Sequence, residues 1–390
     1  MKATVFTNKV KGPATHAIVI GVGHYPHLPG GSAKKKVANP DGMGQLLSPP
    51  ESARAVARWL IEKYESVGRP LGSVALLTSE KVPAKFKYRP RGKNKKSQSV
   101  NVALAAMPAV EEAIVSWRAL GDKNPEHLLL FYFCGHGVAA GTELALLMAD
   151  FGEKPIAPLN GALDFRKFHS NMEECAARHQ CYFIDACRVG SELLKRNQGF
   201  AGNPVVQWTG VGGNPNGQLR LGPIFYSTLA EAKAYAREGE LSIFTDALLE
   251  ALHGAGSGDE SGPWEVKTTR LQQALDFLMR EASQLLKMPQ AQIPSSDSLA
   301  ELTLNTLDSP KVPVVVRVQP QEAHAVAALR CESASEKQNR APRPDPWRLS
   351  VTTGKYSFFA DFKKKEYIVN PFVDEIVRPP YWGKPLKVQQ

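Results

Sequence analysis

A thiol and an imidazole stand 51 residues apart in this chain, each at the end of an apolar run. Cys187 closes CYFIDAC (181–187) and His136 follows LLLFYFCG (128–135). A free cysteine has an ordinary pKa of about 8.5, so little thiolate, the nucleophilic form, exists at neutral pH. Histidine is the usual group that takes the proton, and the pair therefore suits nucleophilic catalysis. Gly135 and Gly137 flank the histidine with a backbone slim enough for a substrate carbonyl to approach. Peptide N–H groups could then stabilise an oxyanion there. The competing reading of Cys187 is a buried structural thiol, the commoner role for a free cysteine.

Both runs have the length and apolar density of central strands buried on two faces, as does HAIVIGVG (16–23). SVALLTS (73–79) and PIFYSTLA (223–230) read as further strands, and TELALLMAD (142–150) as an extended segment or hairpin arm. Helical spacing marks ESARAVARWLIEKY (51–64), NVALAAMPAVEEAIVSWRAL (101–120), LDFRKFHSNMEECAARH (163–179), ELSIFTDALLEALHG (240–254) and VKTTRLQQALDFLMREASQLLK (266–287). Pro108 is expected at a kink or a first turn. Strands alternating with amphipathic helices predict an α/β fold, a mostly parallel sheet flanked by helices. If the two motif strands are neighbours in it, His136 and Cys187 emerge at the same edge, where such sheets bind ligands.

Beyond residue 305 the texture becomes strand-like: VPVVVRV (312–318), HAVAALRCES (324–333), WRLSVTTGKYSFFADF (347–362) and KEYIVNPF (365–372). The polar, proline-rich SEKQNRAPRPDP (335–346) reads as a loop or linker. The expected organisation is a 1–305 domain followed by a small β-rich, sandwich-like C-terminal domain, 311–390.

Composition is that of a globular protein, with 43% hydrophobic and 22% charged residues among 390. No run approaches the roughly 18 apolar residues of a membrane span. The N-terminal apolar run continues into a glycine turn, unlike a signal peptide. Five scattered cysteines form no CxxC pair, which argues against a disulfide framework or zinc site and predicts a reducing cytoplasm. Cys134, Cys175, Cys181 and Cys331 read as structural, Asp150 as a turn residue. GVGHYP (21–26) lacks the third glycine of a dinucleotide loop. The net charge of +10 comes from KVPAKFKYRPRGKNKK (81–96), with eight Lys/Arg, and KKK (34–36). These are basic loops on a near-neutral body, without the aromatic interleaving or recognition helix of a nucleic-acid binder.

In motif order and spacing the chain resembles the caspase/metacaspase clan of cysteine peptidases over roughly residues 14–300. FYFCGHG (131–137) is similar to the clan's histidine strand, FIDACRVG (183–190) to its cysteine strand, and GELSIFTDALLEAL (239–252) to a late helix of prokaryotic members. The resemblance implies a His–Cys dyad, with His136 as general acid/base and Cys187 forming a thioester acyl-enzyme. It also implies an oxyanion hole from the N–H groups of Gly137 and Cys187. Asp185, two before the nucleophile, would line the specificity pocket and favour Arg or Lys before the scissile bond. The electrostatics agree, since a partly buried carboxylate pairs with a guanidinium or ammonium and repels an acid. Metacaspases add a second pocket aspartate at the first helix, where this chain has Ser52 beside Glu51. Glu51 is the candidate substitute.

The resulting expectation is a cytoplasmic endopeptidase that needs no cofactor and no calcium. It would act on proteins after Arg or Lys, under a regulatory partner or upstream signal, in stress, cell-suicide or antiviral pathways as relatives do. The basic loops read first as solvated connections, and the basic specificity adds a second reading, sites of self-cleavage, after Arg91, Lys93, Lys95 or Lys96 in the longer one. The alternatives are a catalytically silent scaffold that binds partners through the C-terminal domain, and a nucleic-acid-binding module.

Overall fold

The computed structural model describes residues 2–92, 95–197, 199–210, 220–228, 240–259, 263–288, 292–297, 300–363 and 367–389. The chain divides into one unit of Met1–Asp246 with Gln290–Leu302, and another of Ala247–Pro289 with Thr303–Gln390.

The first unit is built on a sheet whose strands lie in the order Thr4–Thr7, Leu71–Ser79, Thr15–Val22, Leu128–Gly135, His179–Ala186, Ile224–Tyr226, Ser295–Asp297, with Ala103–Leu104 beside Leu71–Ser79. The inner strands pair in parallel, and Thr4–Thr7 and Ser295–Asp297 close the edges antiparallel. Every residue of Leu128–Gly135 is buried, because helices cover both faces. On one face, Ile18, Phe131 and Tyr182 stand in register and pack against Trp117 of helix Met107–Gly121 and Phe165 and Phe168 of helix Phe165–Asn171. Each such ring contributes on the order of 2 kcal/mol by leaving water. Helix Ser48–Glu62 covers the other face so closely that a Cβ on Gly21 would lie 2.6 Å from the Ala53 Cβ.

Pro108 occupies the first turn of its helix, where a missing N–H costs nothing, and the Asp150 carboxylate accepts the Met107 N–H at 2.8 Å. The helix read over 101–120 thus begins at Met107, and 101–106 is extended. The helix read over 163–179 is shorter as well. It runs from Phe165 to Asn171, after which a single 3-10 turn, Met172–Glu174, redirects the chain toward the cysteine strand. The basic stretch 81–96 is not a plain loop. Phe86–Tyr88 pairs with Gln98–Val100, and the buried Tyr88 donates its hydroxyl proton to the Val5 carbonyl at 2.7 Å. Arg91 is held by Glu65 and by the Tyr64 carbonyl, while Lys93 lies outside the described residues.

In the second unit two four-stranded sheets share one core. Trp347–Thr352, Lys311–Gln319, Pro385–Gln389 and Ile368–Val369 form one sheet; Lys337–Arg340, Ala328–Glu332, Gly354–Asp361 and Phe372–Val377 form the other. Trp382 stacks on Phe358 inside it, with ring centroids 3.9 Å apart. Helix Thr268–Leu285 belongs to this unit, where its Glu281 carboxylate accepts from Arg317 at 2.7 Å and from Arg348 at 3.3 Å.

Three readings change here. Residues 321–326 are a helix, fixed by His324, whose Nδ1 accepts the Val318 N–H and whose Nε2–H donates to the Asp345 carbonyl. Lys337–Arg340, read as linker, is an edge strand paired with Ala328–Glu332, which explains its polarity. WRLSVTTGKYSFFADF supplies one strand to each sheet, with the corner at Thr353. Residues 229–230 and 365–366, read as strand ends, lie outside the described residues.

Candidate active site

The strands Leu128–Gly135 and His179–Ala186 are parallel neighbours, with Cys134 opposite Asp185 and Gly135 opposite Ala186. Pairing resumes past the motif residues in a second, smaller sheet, where Val138 faces Val189 and Ala139 faces Gly190. Both ladders have the same offset of 51 residues, so the chain bearing His136 and the chain bearing Cys187 run side by side without a slip. Adjacent strands lie about 4.8 Å apart, which makes His136 and Cys187 facing neighbours at the carboxyl edge of the main sheet. Gly137 permits the approach: a Cβ there would sit 2.6 Å from the Cys187 carbonyl oxygen and 3.0 Å from the Ala186 Cβ.

His136 is buried and held from two sides. Its backbone N–H donates to the Tyr25 hydroxyl at 2.8 Å, and its ring lies 4.8 Å from the Tyr25 ring. Its Nε2 is 2.8 Å from the Gly44 carbonyl oxygen. A carbonyl only accepts, so Nε2 carries the hydrogen and Nδ1 keeps its lone pair. Burial lowers the imidazole pKa below the ordinary 6.5, against a smaller opposing effect of the Gly44 carbonyl. At neutral pH the ring is therefore an uncharged base.

None of the five cysteines is in a disulfide, and Cys187 alone is not buried. Burial pushes the other thiols up: Cys175 and Cys331 to about 12, Cys134 and Cys181 also well above their ordinary value. Cys134, Cys175, Cys181 and Cys331 are core residues by both criteria.

Asp185 lies two residues before Cys187 and is fully buried on the face covered by helix Ser48–Glu62. Its Oδ2 accepts from the Cys134 thiol at 3.3 Å, from the Thr245 hydroxyl at 2.9 Å and from the Ser242 hydroxyl. Burial pushes its pKa up, opposed by these donors. Among the described residues no Lys or Arg pairs with it. Ser52 joins the same cluster, accepting the Ser242 N–H at 3.1 Å. Glu51 does not. Successive helical residues point about 100° apart, and Glu51 lies half-exposed, 3.9 Å from Arg58 and 4.0 Å from Arg54.

Ser242 and Thr245 were not singled out in the sequence, nor were Tyr25 and Gly44. Ser242 had a signal: it stands before an apolar-periodic run and caps it, accepting the Thr245 N–H at 3.0 Å. Tyr25 and Gly44 lie in a connection without periodicity. A cavity of about 480 Å³ beside Arg188 is lined in part by Phe165, His169, Tyr226 and Asp297. It opens on the sheet face opposite Asp185, since Tyr226 stands in register with Ile184.

Residues 14–302 match the family described as the caspase domain. The chain belongs to that family. Among curated proteins, the caspase-domain chain is 30% identical over 229 residues to an uncharacterized protein of Sinorhizobium fredii, covering 56% of this chain and 62% of that one. It is 27% identical over 165 residues to a probable protease of a Desulfuromonadales bacterium, covering 39% of this chain and 19% of that one. The chain thus spans less than two thirds of each curated relative. Among solved structures, caspase-1 from Spodoptera frugiperda aligns with 77% of this chain and 92% of its own at 13% identity and a TM-score of 0.39, too slight a likeness to carry an argument. Among the described residues of this caspase-domain chain, no helix is long and apolar enough to cross a membrane.

Proposed function

We propose that this caspase-domain chain is a cysteine endopeptidase with His136 and Cys187 as its catalytic dyad and a preference for Arg or Lys before the scissile bond. The observation that carries this reading is the common 51-residue offset on both sides of the two residues. The Cys187 thiol gives its proton to His136 Nδ1 as the sulfur bonds to the substrate carbonyl carbon. The carbonyl oxygen becomes an oxyanion, received by the N–H groups of Gly137 and Cys187. Collapse breaks the C–N bond, His136 returns the proton to the leaving amine, and a thioester remains. Water, deprotonated by His136, attacks that thioester and restores the thiol.

The basic preference is supported by Asp185. Its partners are hydroxyls and a thiol, and no Lys or Arg among the described residues pairs with it, which leaves the carboxylate to a substrate cation. A guanidinium would pair with it, and an acidic side chain would meet a like charge in a desolvated site. The setting we propose is the cytoplasm, under a regulatory partner or an upstream signal, in stress, cell-suicide or antiviral defence. Fluorogenic peptides ending in Arg, Lys or Asp test the activity, with Cys187→Ala and His136→Ala as blanks. Hydrolysis of Arg and Lys peptides by the wild type alone supports it. Equal rates in wild type and blanks would favour the scaffold.

A further inference from the structure

Gln45 lies in the segment 23–47, which leaves strand Thr15–Val22 and returns to helix Ser48–Glu62. Its side-chain amide makes three hydrogen bonds. Oε1 accepts the Tyr25 N–H at 2.9 Å, and Nε2 donates to the Tyr25 carbonyl at 3.0 Å and to the Pro29 carbonyl at 2.9 Å. One side chain thus satisfies both backbone groups of Tyr25 and ties the start of the segment to its end. The residues it locks together are the two that grip the dyad histidine. Gly44, its chain neighbour, offers the carbonyl that accepts His136 Nε2–H, and Tyr25 accepts the His136 N–H and faces its ring. The same segment reaches past Cys187, where Asp41 accepts the Ser191 hydroxyl at 2.6 Å.

We propose that Gln45 is a positioning residue for His136, acting through the Gly44 carbonyl and Tyr25; this rests on the peptidase reading above. The chemistry needs Nδ1 unprotonated, and the Gly44 carbonyl enforces that tautomer only while it stays within hydrogen-bond reach of Nε2. Without the clamp, residues 25 and 44 lose their direct tie, and the Leu46 N–H to Gly23 carbonyl bond at 2.9 Å is left to join the two ends of the segment. The carbonyl then drifts, and the Nδ1–H tautomer, which cannot take the thiol proton, gains population. Misplacement by about 1 Å costs up to 100-fold in rate. Gln45 itself touches no reacting group, so substrate binding is spared.

The test uses the full chain with Gln45→Leu, which removes all three bonds, and Gln45→Glu, which keeps the acceptor for the Tyr25 N–H. Two quantities are measured: kcat and KM on an Arg peptide, and the pH profile of iodoacetamide alkylation read on the Cys187 peptide by mass. The second needs no substrate. Expected are a kcat lowered by roughly 10- to 100-fold in Gln45→Leu with KM within about twofold, and an alkylation profile moved toward that of His136→Ala. Gln45→Glu should lie between. Wild-type kcat and wild-type profile in a folded Gln45→Leu overturn the proposal; if that variant does not fold, a wild-type result for Gln45→Glu overturns it instead. A His136→Ala profile that differs from wild type while the Gln45 variants follow wild type removes only Gln45. Identical profiles for wild type and His136→Ala remove the dyad, and Gln45 with it.

Discussion

At the residue scale the proposed site turns on two ionisable groups that burial displaces in opposite directions. His136 is held below its ordinary 6.5. In the proposed mechanism its neutral form is the base, so kcat/KM should fall with acidification through a value below 6.5, not at it, as Nδ1 takes a proton and can no longer accept that of the thiol. A pH–rate profile on an Arg peptide reads this limb. Asp185 bears the opposite burden, a carboxylate kept in the interior by neutral donors. Asp185→Asn should lower kcat/KM on Arg peptides about 100-fold, because the substrate cation loses its buried partner. The same change should leave the melting temperature unchanged or higher, since a buried carboxylate with no cation beside it among the described residues gives way to a neutral amide. A variant that melts much lower while keeping its Arg selectivity would show Asp185 to be structural.

At the element scale, the strand ends and one helix cap share the load. Ser242 caps helix Ile243–Glu250 and also donates to Asp185. Ser242→Ala removes both, and thermal unfolding should report a loss of about 1–2 kcal/mol. The two motif strands were legible in the sequence because long apolar runs buried on both faces leave a strong signal, and the spacing of 51 between His136 and Cys187 equals the strand offset. The connection 23–47 was not. Its grip on His136 comes from single contacts between residues more than 90 positions apart, such as Gly44 with His136, which no local pattern encodes. Glu51 illustrates the same limit. Alignment places it next to Ser52, yet helical geometry turns one side chain into the Asp185 cluster and the other to solvent.

At the scale of the whole molecule, buried histidines couple the fold to pH. In the first unit, burial, with help from His127 and Lys123, lowers His16 to about 4, and burial with Arg220 lowers His169 to about 3. Below 6.5 the unfolded chain binds protons that the folded chain refuses, so stability falls as pH drops from 6.5 toward those values and is restored as pH rises. Asp150 and Asp185, pushed up by burial, act with the opposite sign over windows that begin at 3.8. His16→Asn keeps a polar partner for Ser73 and should flatten the melting-temperature slope between pH 6.5 and 4. An unchanged slope would show that His16 does not carry it.

The identity of the reacting thiol bears most directly on the proposed chemistry. Wild type and His136→Ala are treated with a peptidyl chloromethyl ketone ending in Arg, and the modified cysteine is mapped by mass spectrometry. The expected result is one adduct, on Cys187, formed far more slowly in His136→Ala and suppressed by an Arg peptide substrate. An adduct on Cys134, Cys175, Cys181 or Cys331 instead, or equal labelling of Cys187 in both proteins, would contradict it.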